Sequence, residues 1–240
     1  MKDIFNSAWP KLIGSPKSKC TMVISPHMDD DVIGCFGTLM KIKRSESKII
    51  VVYCGAGNIS IPGQKPNRAL QLQRKHEALN ALRIISPDIT AFFLDLPESS
   101  ADSWDIAIDE LKRLIWEYDP DTIMLPYYID NHPDHRKANL LFRHSMISEI
   151  NPEIFAYEVW TPFFPDVIIN ITSEMENKIL AINEHKSQIS NLRYDNLIRG
   201  LNMYRASFIP FPNMVYAEAF KKFRSSEYIG LIDQNLDVLL

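Results

Sequence analysis

Cysteine is scarce in this chain. Only Cys20, Cys35 and Cys54 occur among 240 residues, an odd number with no Cys-x-x-Cys pair. That excludes a disulfide framework and points to a reducing compartment, the cytoplasm. Cys20 and Cys54 sit in apolar runs, where a thiol behaves as a small hydrophobe. No apolar segment approaches the ~20 residues of a membrane span, so no integral membrane segment is expected. The start, Met1-Lys2-Asp3-Ile4-Phe5-Asn6, lacks a basic stretch followed by an apolar one, and no signal peptide is expected. Long basic blocks are missing too. Lys41-Ile42-Lys43-Arg44 and Lys221-Lys222-Phe223-Arg224 are short, and the net charge is −4. Nothing electrostatic therefore argues for nucleic acid or an anionic membrane as partner. There is no internal repeat, low-complexity tract or linker, and residues 1–240 read as one domain with 46% hydrophobic content to build its core.

What is present is an alternation of short apolar runs and amphipathic stretches. Thr21–Ile24, Ile49–Cys54, Ala91–Leu94 and Thr122–Leu125 read as buried strands. Val32–Ile42, Asn67–Arg83, Ser103–Tyr118, His135–Ile150 and Ser173–Ser190 read as helices, with Asn67 and Ser103 as caps and Asp119-Pro120 as a stop. Gly55–Pro66 reads as a loop. Ile154–Trp160 and Val167–Ile171 read as further strands, and the tail from Asn191 is mixed. Alternation of this kind predicts an α/β, Rossmann-like fold: a mainly parallel, twisted sheet with helices on both faces. The C-terminal third is the place for antiparallel pairing.

Two clusters carry chemistry. Pro26-His27-Met28-Asp29-Asp30-Asp31 follows the first strand, and His132-Pro133-Asp134-His135 follows the fourth. Ligands in open α/β sheets bind beyond the carboxyl ends of strands, and both clusters lie there. If the loops meet, two imidazoles and a carboxylate make the ligand set of a catalytic zinc with a place left for water. Zinc lowers the pKa of such a water to about 7. Asp29 and Asp30 are adjacent and point different ways, so one can ligate while the other serves as general base. An imidazole held by a carboxylate, as in His132-Pro133-Asp134, can stay positively charged and stabilise an oxyanion. The blander reading is a helix-capping trio, Asp29 to Asp31, and a loop histidine. His76 and His144 read as surface or packing residues, and Arg74 with Glu77 as a helix-surface pair or a substrate contact. His185 reads as a helix C-terminal cap or something more, because a polar run follows it.

These motifs resemble those of the LmbE/PIG-L family of metal-dependent N-deacetylases. The family's Pro/Ala-His-Pro-Asp-Asp-Glu segment reads here Pro26 to Asp31, and its His-Pro-Asp-His segment reads His132 to His135. Arg74–Leu82 resembles its Arg-x-x-Glu-Ala helix. Lys178, Ala181 and His185-Lys186-Ser187-Gln188 resemble its Lys-x-x-Ala and His-x-Ser-Gln helix, and Tyr216–Phe220 its Ala-Glu-x-Phe segment. The resemblance implies His27, Asp30 and His135 as ligands of Zn2+, with Fe2+ or another divalent metal as substitutes. It implies Asp29 as general base, His132 as polarising the carbonyl or protonating groups with Asp134 orienting it, and Arg74 as a substrate contact. The implied substrate is a small N-acetylated sugar conjugate of the N-acetylglucosamine type, cleaved to acetate and a free amine. Met28 replaces the usual proline and Asp31 the usual glutamate. A non-haem Fe(II) oxygenase and a non-catalytic metal- or sugar-binding module are the rival readings, and an enzyme of this size and architecture is a candidate homo-oligomer.

Overall fold

The computed structural model of the chain describes residues 9–59, 65–97, 104–189 and 193–239. In chain order the elements are β1 (Lys11–Ile13), β2 (Cys20–Ser25), α1 (Asp30–Lys43), β3 (Lys48–Gly55), α2 (Arg68–Ile85), β4 (Thr90–Leu96), α3 (Trp104–Tyr118), β5 (Thr122–Pro126), α4 (Pro133–Ser145), β6 (Glu153–Tyr157) and β7 (Val167–Asn170). There follow α5 (Met175–Glu184), α6 (Lys186–Ile189), α7 (Tyr194–Ala206), β8 (Ala217–Arg224), α8 (Ser225–Gln234) and α9 (Leu236–Leu239). The strands form one eight-stranded sheet in the order β4-β3-β2-β5-β6-β8-β7-β1. All neighbours run parallel except at β8, which pairs antiparallel with β6 on one side and β7 on the other.

The central strands are covered on both faces, which is why their sequences are apolar without alternation. Met22, Ile24, Ile50, Val52, Ile123 and Leu125 face a layer that includes Leu111 and Leu114 of α3, Leu141 and Phe142 of α4 and Tyr228 of α8. Val23, Val51, Tyr53 and Met124 face the opposite layer, with Val32 and Phe36 of α1, Ala78 and Ala81 of α2 and Ile182 of α5. Asn67 caps α2, its side chain accepting from the amides of Ala69 and Leu70. α3 ends at Asp119, which takes a positive φ of 41°.

The expected elements differ from the observed ones in four places. The helix expected over Ser173–Ser190 is two, because the chain leaves helical geometry at His185 (φ −79°, ψ 54°) and restarts at Lys186. The helix expected over His135–Ile150 spans Pro133–Ser145, after which Met146 is extended and Met146, Ile147 and Ile150 turn inward against the core. β1 has three residues, too few for a periodic signal. The mixed tail contains α7, β8 and α8. The capping role of Ser103, and part of the Gly55–Pro66 loop, lie outside the described residues.

Gly34, on the first turns of α1, lies against the ring of Tyr157. A Cβ there would stand 2.2 Å from a ring carbon, and the Tyr157 hydroxyl is tied to the Ile24 carbonyl at 3.0 Å. Gly34→Ala should therefore destabilise the protein by about 1–3 kcal/mol in urea unfolding. Gly200→Ala, in the exposed interior of α7 with nothing within 4 Å of the added carbon, should stabilise it by roughly 0.5–1 kcal/mol. Equal midpoints for both variants would refute the packing argument.

Candidate active site

β2 and β5 are hydrogen-bonded neighbours, but β2 is followed by β3 and β4 on one side and β5 by β6 on the other. Chain direction across the sheet reverses between them, and the loops at their carboxyl ends open a crevice. Both His/Asp clusters fall in that crevice. The β2 loop is pinned from below: Ser25 Oγ donates to the His27 carbonyl (2.7 Å) and accepts from the Asp31 amide (3.2 Å), and the Gly55 amide donates to the Pro26 carbonyl (2.9 Å). The β5 loop is pinned through Asn139, whose amide group donates to the carbonyls of Pro126 (3.0 Å) and His135 (2.9 Å).

Three side-chain atoms converge. His27 Nδ1 lies 3.0 Å from Asp30 Oδ2, His135 Nε2 lies 3.1 Å from the same oxygen, and the two nitrogens are 3.3 Å apart. Four-coordinate zinc with ligands at about 2.0–2.1 Å spaces neighbouring donors by roughly 3.3 Å. The triangle therefore fits one such cation. The electrostatics agree. Burial disfavours charge on both imidazoles, yet the Asp30 carboxylate outweighs it, holding His27 well above its ordinary pKa and His135 at about 9. Asp30 itself is buried, but the two imidazoles hold it far below the usual carboxylate range. The cluster favours positive charge at its centre, and a metal competes for the nitrogens with the protons.

The three consecutive carboxylates go to three places. Asp29 is the N-cap residue of α1 but makes no side-chain capping bond. It is almost fully buried, and burial first, then the Asp30 charge, pushes it up to about 6. Asp30 also accepts from the His27 amide at 2.8 Å. Asp31 turns into the core, where Oδ2 accepts from the Tyr53 hydroxyl at 3.1 Å and Oδ1 has no partner among the described residues. Burial pushes it up to about 8. The helix-capping reading of this trio is thus not what the side chains do. Met28 is a core residue, packed where a Cβ on Gly57 would lie 3.3 Å from its methyl group.

His132 stands beside the triangle. Its ring centre is 4.6 Å from that of His27 and 5.0 Å from that of His135, and nitrogens of the three imidazoles lie within 4.8 Å of one another. A second ligand set, with His132 in place of Asp30, is therefore conceivable on distance alone. The hydrogen bonding argues against it. His132 is the N-cap of α4, and its Nδ1 accepts from the Asp134 amide at 3.2 Å. The neutral ring then carries its proton on Nε2 and presents a donor. The expected positive charge on His132 is not found. Burial, then the charges of His27 and His135, push it down to about 4. Nor does the Asp134 carboxylate hold it: Oδ2 is 3.9 Å from His132 Nδ1 but 3.4 Å from His27 Nε2, and Oδ1 accepts from Lys137 at 3.0 Å.

Asp130 was not singled out from the sequence. Its Oδ1 accepts from the His132 amide (2.9 Å) and lies 3.3 Å from His135 Nδ1, while Oδ2 accepts from the amides of Trp160 (3.0 Å) and Thr161 (3.2 Å). One buried carboxylate thus orients an inner imidazole and ties the β5 and β6 loops together. The available signal was its place two residues before His132, in a loop where an acid needs a reason.

Arg74 and Glu77 do not form the helix-surface pair. Arg74 Nη1 donates to the carbonyls of Gly57 and Ile59 (3.2 Å each), and Glu77 is buried and accepts from the Ser187 amide (3.0 Å) and hydroxyl (2.6 Å). His76 and His144 are exposed. His185, the C-cap residue of α5, is fully buried.

An open α/β sheet with a two-histidine, one-carboxylate cluster in its crevice and a spare buried carboxylate beside it makes a candidate site for a divalent cation and an activated water. Residues 22–146, which span both clusters, match the model of the PIG-L family, described as GlcNAc-PI de-N-acetylase. The chain belongs to this family. It is 24% identical over 188 residues to the diacetylchitobiose deacetylase of Thermococcus kodakarensis, covering 71% of this chain and 70% of that one. The fold is shared with the crystal structure of N,N'-diacetylchitobiose deacetylase from Pyrococcus horikoshii in complex with its inhibitor MPG (TM-score 0.73, 24% identity, 90% and 86% of the two chains). It is equally shared with the 4-carboxy-2-hydroxymuconate hydratase of Pseudomonas putida (TM-score 0.72, 19% identity, 85% and 95%). Among the described residues no helix is long and apolar enough to cross a membrane.

The capping bond makes a prediction about His132 that needs no substrate. A long-range 1H–15N spectrum of the metal-free protein at neutral pH should show this ring neutral, with Nδ1 bare and the proton on Nε2. A proton on Nδ1 would remove the donor assignment.

Proposed function

We propose that the chain is a metal-dependent amidohydrolase that removes the N-acetyl group from an N-acetylglucosamine-type sugar conjugate. The observation that carries this reading is the placement of a buried carboxylate, Asp29, next in sequence to the one that closes the two-imidazole triangle. A binding module needs the triangle but has no use for a second buried acid that closes nothing.

In this reading His27 Nδ1, Asp30 Oδ2 and His135 Nε2 would hold the divalent cation, Zn2+ in the first instance, with Fe2+ able to replace it. The cation, when bound, polarises the amide carbonyl and lowers the pKa of a water beside it to about 7. The chain's own residues do the rest. Asp29 takes a proton from the attacking water, and its raised pKa keeps it a competent acid for the return step. His132 Nε2–H donates to the carbonyl oxygen as it becomes anionic. The C–O bond forms, the C–N bond breaks, and the proton held on Asp29 passes to the leaving nitrogen, giving acetate and a free amine. The Asp134 carboxylate steadies His27 through Nε2, and its amide steadies His132 through Nδ1. Arg74 contacts the sugar. The hydratase that shares this fold is a reminder that the sheet alone does not choose between adding water to an amide and adding it to another acceptor.

A screen of N-acetylated sugars should find acetate release that stops on chelation and returns with zinc. Asp29→Asn should keep its metal and lose about 10²–10⁴-fold in kcat, whereas His135→Ala should lose the metal itself. Unchanged turnover in Asp29→Asn, or release that survives chelation, would overturn the assignment. Asp130→Asn should lower metal affinity by about 10–100-fold while leaving the protein folded. An unchanged metal titration would deny Asp130 its orienting role.

A further inference from the structure

Asp130 is fastened to the loop between β6 and β7, residues 158–165, which has no backbone ladder of its own. The loop contains Pro162 and Pro165, and among the described residues none of its backbone groups bonds to another backbone group. Side chains fix it instead. The amides of Trp160 (3.0 Å) and Thr161 (3.2 Å) donate to Asp130 Oδ2, and Thr161 Oγ1 accepts from the Asn131 amide (2.8 Å). On the other side Glu158 and Arg205 of α7 form a buried ion pair. Arg205 Nε donates to Glu158 Oε1 at 2.6 Å, and Nη2 donates to Glu158 Oε2 and to the Phe163 carbonyl (2.8 Å). The Phe163 amide donates to Glu158 Oε2 at 3.4 Å. The rings of Tyr204, Phe208 and Phe163 lie around the guanidinium, their centres 5.1, 5.2 and 6.0 Å from its carbon.

Stability alone does not account for this pair. Arg205 is 1% exposed and Glu158 4%. Taking two charges out of water is costly, and well-packed apolar side chains of similar volume often serve a fold as well or better. What apolar side chains cannot do is fix a backbone amide and carbonyl. The pair binds both backbone groups of Phe163, two residues beyond Thr161. Polar contacts then run from α7 to the His/Asp cluster. Arg205 and Glu158 hold the loop, the loop amides hold Asp130 Oδ2, and Asp130 Oδ1 meets the His132 amide (2.9 Å) and His135 Nδ1 (3.3 Å).

We infer that Glu158 and Arg205 are positioning residues for the proposed metal site, acting through the 158–165 loop and Asp130 on His135. A loop released at Phe163 lets the Trp160 and Thr161 amides drift from Asp130 Oδ2. A carboxylate that loses those two donors no longer fixes the direction in which His135 presents Nε2, and an imidazole left to turn binds a cation more weakly. The inference rests on the reading of His27, Asp30 and His135 as the ligands of a divalent cation.

The test is a zinc titration of the metal-free protein against a chromogenic chelator, with Tm read alongside. It compares the wild type, Glu158→Gln and the apolar pair Glu158→Leu with Arg205→Met, each with Asp130 intact and with Asp130→Asn. With Asp130 intact, the apolar pair should keep a Tm near that of the wild type and bind zinc about 3–10-fold more weakly, a smaller loss than at Asp130 itself. With Asp130→Asn, the same pair should change zinc affinity by less than about twofold, because the connection is already cut. Glu158→Gln keeps the volume but gives up the bidentate bond, and should lose affinity in the same Asp130-dependent way. An apolar pair that binds zinc as the wild type does overturns the inference, whatever its Tm. So does a loss of equal size in both backgrounds, which would not pass through Asp130. Should the apolar pair not fold, Glu158→Gln decides by the same comparison. A wild type that binds no zinc, or whose zinc affinity survives His135→Ala, removes the metal site and this inference together. A wild type that binds through His135, beside variants that match it, keeps the metal site and removes the inference alone.

Discussion

Everything at the site depends on one oxygen atom. Asp30 Oδ2 receives the His27 amide, faces His27 Nδ1 and faces His135 Nε2, all within about 3 Å. The first two contacts are local and could form in a short peptide. The third joins residues more than a hundred positions apart, and it exists because β2 and β5 pair in register, Thr21 to Thr122 and onward. The sheet supplies proximity, and the turns after β2 and β5 supply aim. A small shift in either loop would separate the imidazoles, and bonds from Ser25, Gly55, Asn139 and Asp130 hold the loop backbone in place.

Much of this architecture was legible in the sequence because each layer leaves its own mark. A strand covered on both faces must be apolar throughout, and Ile49–Cys54 announces itself for that reason. A helix with one covered face repeats at helical spacing, as α3 does. Clusters of His and Asp after such strands mark the crevice. Other features leave no such mark. β1 contributes three residues at an edge. The helix end at His185 agrees with the reading of that residue as a C-terminal cap, whereas the Glu77 contacts that seat the following α6 come from a partner distant in sequence. The tautomer of His132 depends on a backbone amide, and the direction in which Asp134 points depends on Lys137 and on His27 across the crevice. Whether a residue is present can be read along the chain. What it faces is settled by partners brought from elsewhere.

The same separation limits what fold can say about chemistry. A deacetylase and a hydratase share this sheet with nearly equal fidelity. Their common frame places a crevice, and around it the protein matches some polar atoms and leaves others without a partner among the described residues. In this chain the matched ones include Asp30, Asp130 and His132 Nδ1. The unmatched ones include the ring of His185 and Arg74 Nε.

The reversed strand β8 has a consequence for how the molecule is made. Among the described residues β1 touches the sheet only through β7, and β7 reaches the rest of the sheet only through β8. Glu218 on β8 also accepts from the amides of Gly37 and Thr38 inside α1 and pairs with the buried Lys178. During synthesis the ribosome releases β2 to β6 first, and these can zip together as they emerge, crevice included. β1 and β7 must wait for β8. Chain growth and sheet growth thus run in different orders, and a nascent chain halted before β8 would carry a half-finished sheet whose open edge, at β6, is free to pair with another molecule.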